Sequence, residues 1–168
     1  PSPASLSFCS ILLAGFAMQS ILFLCLGNIC RSPLAEGAAR AAFADAGIAA
    51  RLDSAGTGDW HVGRPPDARA QAVARTNGID IGNLRARQIG PEDFVRFDLI
   101  LAADTQNLRD LHALAPRGHT ARLALMLDMV PGRAGQPVAD PYYGDAPEFD
   151  ACWREVSAVA AALVANSR

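Results

Sequence analysis

Along this chain, short unbroken apolar runs alternate with longer stretches whose apolar residues recur every three or four positions. The first run, Ile21-Leu22-Phe23-Leu24, ends at Cys25, as expected of a strand buried on both faces. Ser32-Pro33 followed by Glu36 marks a helix start with proline in the first turn. From residue 33 to about 46, Leu34, Ala38, Ala41 and Ala42 make an inward face, and Gly47 closes the helix. Residues 51–55 read as a second short strand, followed by a long loop to Pro66. Asp67 caps a helix that runs to about Thr76 and ends at Asn77-Gly78. After a turn at Gly90-Pro91, a short helix begins at Pro91. Residues 98–103 form a third strand, Asp104 and Thr105 cap a helix to about Ala115, and residues 122–129 form a fourth strand. Pro147 opens a final helix with Phe149, Val156, Val159, Ala160 and Leu163 on its core face.

Strands alternating with helices predict an α/β fold: a single doubly wound, four-stranded parallel sheet with helices on both faces. In such sheets ligands bind beyond the carboxyl ends of the strands, and Cys25 sits at one of them.

The loop from Cys25 to Ser32 joins the first strand directly to the first helix. Gly27 and Asn28 tolerate left-handed backbone, so the loop can turn several N–H groups toward one point, where the helix N-terminus adds its positive dipole end. That describes an anion cradle with a thiol at its base. Backbone amides, helix end and Arg31 all favour thiolate over thiol, which makes Cys25 a nucleophile at neutral pH. Arg31 offers a planar fork for two oxygens of a phosphoryl group, and the Ser32 hydroxyl can donate to the sulfur. Further along, Asp140 precedes Pro141, which holds it out of helical backbone, and Tyr142 and Tyr143 are expected to shield its carboxyl enough to keep it partly protonated. Trp60, in the long loop, suits a wall that stacks on an aromatic substrate, whereas His61 reads as a surface residue.

At 168 residues the chain is expected to form one main domain. A net charge of −2 and scattered arginines argue against a nucleic-acid partner. The chain has no lysine, which excludes the nucleotide-binding loop that needs one. Cys9, Cys25, Cys30 and Cys152 lack zinc-site spacing, so neither a metal nor another cofactor is expected, and a free thiolate favours the cytoplasm. Residues 6–18 are uncharged and mostly apolar. They fit a secretory apolar region, with Gly15-Phe16-Ala17 weakly like a cleavage site, but no basic residue precedes them and they are too short to span a membrane. Met18 stands just before the first strand. Residues 1–17 are therefore expected to lie outside the catalytic core, with the functional domain over 18–168 and no stable membrane association.

The pattern Cys-x5-Arg-Ser, continuing to Glu36 without a gap, resembles the active-site loop of the low-molecular-weight protein tyrosine phosphatases. Asp53-Ser54-Ala55-Gly56, Asp59-Trp60 and Asp140-Pro141-Tyr142-Tyr143-Gly144 match other parts of that family's pattern, so the resemblance covers roughly Ser20 to the C-terminus. It implies a flavodoxin-like sheet with the phosphate-binding loop after the first strand. By this resemblance Cys25 attacks phosphorus, while Arg31 and the backbone of Leu26, Gly27, Asn28, Ile29, Cys30 and Ser32 hold the oxygens. Asp140 acts as acid and then base, and Trp60, Tyr142 and Tyr143 wall a slot for phosphotyrosine. Phosphate and other oxyanions would inhibit. The resemblance also implies that oxidised Cys25 is captured by Cys30 as a disulfide. Arsenate reductases resemble the loop but need a further cysteine pair, and only Cys152 lies downstream. Protein-arginine phosphatases resemble it too, with threonine where Ile29 stands. An inactive phosphoprotein-binding module would need the nucleophile or the acid replaced, and neither is.

Overall fold

The computed structural model describes residues 20–168. The expected N-terminal extension, residues 1–17, lies outside the described residues. Four strands, β1 (Ser20–Cys25), β2 (Arg51–Gly56), β3 (Leu99–Ala102) and β4 (Arg122–Leu125), pair in parallel in the order β2-β1-β3-β4. The helices are α1 (Arg31–Asp45), α2 (Ala68–Thr76), α3 (Asp93–Arg96), α4 (Thr105–Leu114) and α5 (Ala146–Ala165). The chain leaves β1 toward β2 and returns to its other side at β3, so strand order reverses at β1, where such folds hold their ligands.

The unbroken apolar run of β1 reflects two separate cores. Ile21, Phe23 and Cys25 pack with α1, α2 and α5, whereas Leu22 and Leu24 pack with Phe94, Phe97, Ile100 and Leu111 on the opposite face. Leu22, Phe23 and Leu24 are fully buried, and each contributes roughly 1.5–3 kcal/mol relative to exposure. Helix α1 is buried from Arg31 through Ala39 because it lies between the sheet and α5. Ala41 and Ala42, expected on its core face, are only partly buried, and Ala39 and Phe43 take that place.

Three boundaries differ from expectation. Strand β2 extends to Gly56 and β3 is trimmed to Leu99–Ala102. The fourth strand stops at Leu125, and Met126–Met129 turns into a 3-10 helix. Asp128 causes the turn: its Oδ2 accepts from the Leu125 N–H at 2.9 Å and its Oδ1 from the Gly135 N–H at 2.7 Å. Met126, Leu127 and Met129 stay in the core, so this apolar run serves packing rather than pairing.

Candidate active site

Four carbonyls of the loop after β1 are bonded to backbone N–H groups beyond it. The Cys25 carbonyl accepts from the Thr57 N–H, Leu26 from Gly58, Ile29 from Asp67 and Cys30 from Leu34, at 2.8–3.2 Å. Among the described residues, the N–H groups of Leu26 through Cys30 donate to no protein acceptor. Five donors are thus left without a protein partner in a loop whose Leu26, Gly27, Ile29 and Cys30 line the same cleft as Cys25, an arrangement suited to an anion. Asn28 makes the bend with φ of 56°, the one non-glycine residue at positive φ among those described. Gly56 lets the loop sit against β2, since a Cβ there would lie 2.7 Å from the Leu26 carbonyl oxygen.

Cys25 is 3% exposed at the base of a cleft of about 230 Å³. Its sulfur is 3.1 Å from Ser32 Oγ. The Asn28 amide donates to that same Oγ at 2.8 Å, which leaves the serine proton for the sulfur or, at 3.4 Å, for the Ala55 carbonyl. Arg31 is buried, and its Nη1 donates to Asp104 at 2.7 Å and to the Val138 carbonyl at 3.0 Å. Burial works against the Arg31 charge, but Cys25, Asp104 and Asp140 around it outweigh burial and hold it charged. Across the cleft stands Asp140, 3.5 Å from Arg31 Nη2, with its Oδ1 accepting from the Tyr142 N–H at 3.1 Å. Trp60, Tyr142 and Tyr143 form the rim, with Trp60 68% and Tyr143 93% exposed.

A model of low molecular weight phosphotyrosine protein phosphatases matches residues 20–167. The chain belongs to that family. A Schizosaccharomyces pombe phosphatase of this family is 43% identical over 136 residues, covering 79% of this chain and 86% of the yeast one. The crystal structure of YfkJ from Bacillus subtilis superposes with a TM-score of 0.80 at 37% identity, covering 90% of this chain and 95% of that one. A Drosophila arginine phosphatase, DARP, matches with a TM-score of 0.80 at 29% identity, covering 84% and 93%.

The sequence motifs of this phosphatase thus converge in one cleft, and the structure adds residues that they did not reveal. Asp104, read only as a helix cap, caps α4 through the Asn107 N–H at 2.7 Å and also pairs with Arg31. Ser54 accepts from the Asn28 amide at 3.0 Å and donates to the buried Glu36 at 2.8 Å, while the Arg87 N–H donates to Asn28 Oδ1 at 3.0 Å. Burial pushes the Glu36 carboxyl up despite donors from Ser54 and Arg40. His61, expected on the surface, lines the cleft against Gly27. The shielding expected of Asp140 is incomplete, since its side chain is 42% exposed at the cleft mouth. Burial pushes the thiols of Cys30 and Cys152 up, the latter to about 12.

Proposed function

We propose that this phosphatase hydrolyses phosphotyrosine on proteins through a cysteinyl-phosphate at Cys25. The observation that supports the reading is the loop after β1: four of its carbonyls are bonded, five of its amides have no protein partner, and its residues line one cleft with the Cys25 thiol and Arg31. The amides and Arg31 bind the three non-bridging oxygens, and their charge stabilisation grows as the transition state forms. The sulfur attacks phosphorus in line while Asp140 gives its proton to the departing phenolate. Asp140 then takes a proton from water, which attacks phosphorus and returns Cys25 as thiolate. The Ser32 hydroxyl accepts from the Asn28 amide, which leaves its own proton to stabilise the sulfur as it leaves. No metal or other cofactor enters this scheme.

The buried sulfur and the exposed aromatic rim favour a phosphorylated ring over a short phosphoserine. Ile29 lines the cleft and suits the flat face of a phenyl group. Phosphate and similar oxyanions should compete for the cradle. Free Cys25, Cys30 and Cys152 suit a reducing compartment, and the cytoplasm is the proposed location. Among the described residues no helix is long and apolar enough to cross a membrane. Arsenate reduction is disfavoured because Cys152, the only cysteine after Cys30, is buried with a raised pKa.

The DARP relationship keeps phosphoarginine as the second reading. Side-by-side turnover of a phosphotyrosine peptide and a phosphoarginine peptide decides between them. Preference for phosphotyrosine is expected, and preference for phosphoarginine would overturn the substrate assignment.

A further inference from the structure

We propose that Arg69 is a positioning residue that sets the loop carrying Asp140 over the cradle. The inference rests on Asp140 being the proton donor. Arg69 stands in the first turn of α2, outside the cleft, and touches neither Cys25 nor the cradle amides. Its guanidinium is committed on every side. Nε and Nη2 donate to the two oxygens of Asp67, each at 3.0 Å, and the Asp67 backbone N–H donates to the Ile29 carbonyl of the cradle at 2.8 Å. Nη1 donates to the Gly144 carbonyl at 3.0 Å, across 75 residues of sequence. The guanidinium carbon also lies 4.7 Å from the centre of the Phe149 ring and 5.6 Å from that of Tyr142. A continuous path thus runs from Ile29 through Asp67 and Arg69 to Gly144 and Tyr142.

The loop that Arg69 reaches is otherwise tied mostly to itself. The Tyr142 N–H donates to Asp140 Oδ1, and the Gly144 N–H donates to the Pro141 carbonyl at 2.9 Å. The chain is pinned before the loop, where the Val138 N–H donates to the Ala103 carbonyl at 2.8 Å, and after it by α5. Burial does not hold the Asp140 carboxyl, and its contact with Arg31 is long. Its place above Cys25 therefore follows from the shape of the loop. A misplacement of about 1 Å can slow a reaction roughly 10²-fold. Lysine cannot substitute for Arg69, because a point charge cannot donate to Asp67 as a fork, reach Gly144 and stack on two rings together.

A merely structural Arg69 would pair with Asp67, the cap of α2, and add a little stability, as exposed ion pairs do. Leaving-group dependence separates the two roles. The test measures kcat on aryl phosphates of rising phenol pKa for the parent, Arg69→Ala, Asp140→Ala and the double variant. Arg69→Ala should slow basic leaving groups by roughly 10- to 10²-fold while sparing activated ones, and should add almost nothing in the Asp140→Ala background. Arg69→Lys, which keeps the charge beside Asp67, should behave like Arg69→Ala and covers the case in which alanine disturbs α2. If Asp140→Ala shows the steep dependence but Arg69→Ala and Arg69→Lys slow all esters equally, the positioning role is overturned while the acid assignment stands. Effects that add fully in the double variant overturn it too. If Asp140→Ala itself slows every ester alike, the acid assignment falls and the positioning role falls with it.

Discussion

Asn28 is where backbone shape and side-chain bonding of the cradle can be separated by substitution. Its φ of 56° is left-handed, and its amide makes three bonds: to Ser32, to Ser54 and from the Arg87 N–H. The residue is buried, so losing its Oδ1 strands the Arg87 donor at about 1–3 kcal/mol. Alanine adds the left-handed penalty of roughly 1–2 kcal/mol. Glycine escapes that penalty but gives up to about 1 kcal/mol to its greater freedom in the unfolded chain. Asn28→Ala should thus destabilise by about 3 kcal/mol and Asn28→Gly by about 2, with thermal midpoints lower by roughly 6–12 °C and 4–8 °C. Both should lose kcat, since Ser32 in either variant lacks the donor that frees its own proton for Cys25. Thermal unfolding and kcat on one aryl phosphate check this. Midpoints at which alanine equals or exceeds glycine would show that the left-handed bend is not what the position requires. Parent-like kcat in both variants would refute the role of the amide.

Cys25→Ser should abolish turnover yet still bind phosphate or vanadate in a calorimetric titration, because the amides and Arg31 remain; loss of binding would mean that the sulfur holds the cradle open. Arg31→Lys should lose at least 10-fold in kcat/KM, since Nη1 alone serves both Asp104 and Val138 and an ammonium cannot keep that geometry while facing phosphate. Peroxide should link Cys25 to Cys30 in non-reducing mass spectrometry: the buried thiol of Cys30 resists direct oxidation and condenses once Cys25 is a sulfenic acid, whereas direct conversion of Cys25 to sulfinic acid would contradict this. The hydrogen bond from Arg69 holds the Asp67 carboxyl below its ordinary 3.8, so its contribution to stability is complete above that value and fades as pH falls through the lower folded value. Asp67→Asn should therefore flatten the loss of stability below pH 4 in acid titrations, and an unchanged acid limb would count against the pairing.

The cradle was legible in the sequence because it is local: eight consecutive residues from Cys25 to Ser32 carry nucleophile, bend, fork and helix start. The alternation of strands and helices was legible for the same reason. What surrounds the cradle was not. Asp104 meets Arg31 because β3 pairs beside β1, which places the residue after one strand against the loop after the other. Ser54 and Arg87 reach Asn28 through the pairing of β2 with β1 and the path that follows. Such contacts depend on strand order, and local patterning gives alternation without order. Met126–Met129 failed for a related reason, since an apolar run buried in a core looks the same whether it pairs or turns. His61 is a partly exposed loop residue, as expected, but nothing in Trp60-His61-Val62 tells which side chain lies over Gly27 at the cleft.

The contrast between a buried base and an exposed rim also bears on how this enzyme can change over evolutionary time. Cys25, Asn28, Arg31 and Ser32 are locked into the core, where substitutions disturb both folding and chemistry. Trp60 and Tyr143 project into solvent, where replacement usually shifts stability by no more than about 0.5 kcal/mol. Mutations can therefore accumulate on the rim almost unopposed by folding while the reaction at the base is preserved. Relatives on this scaffold are free to diverge in which phosphoproteins they admit long before they diverge in what they do to them.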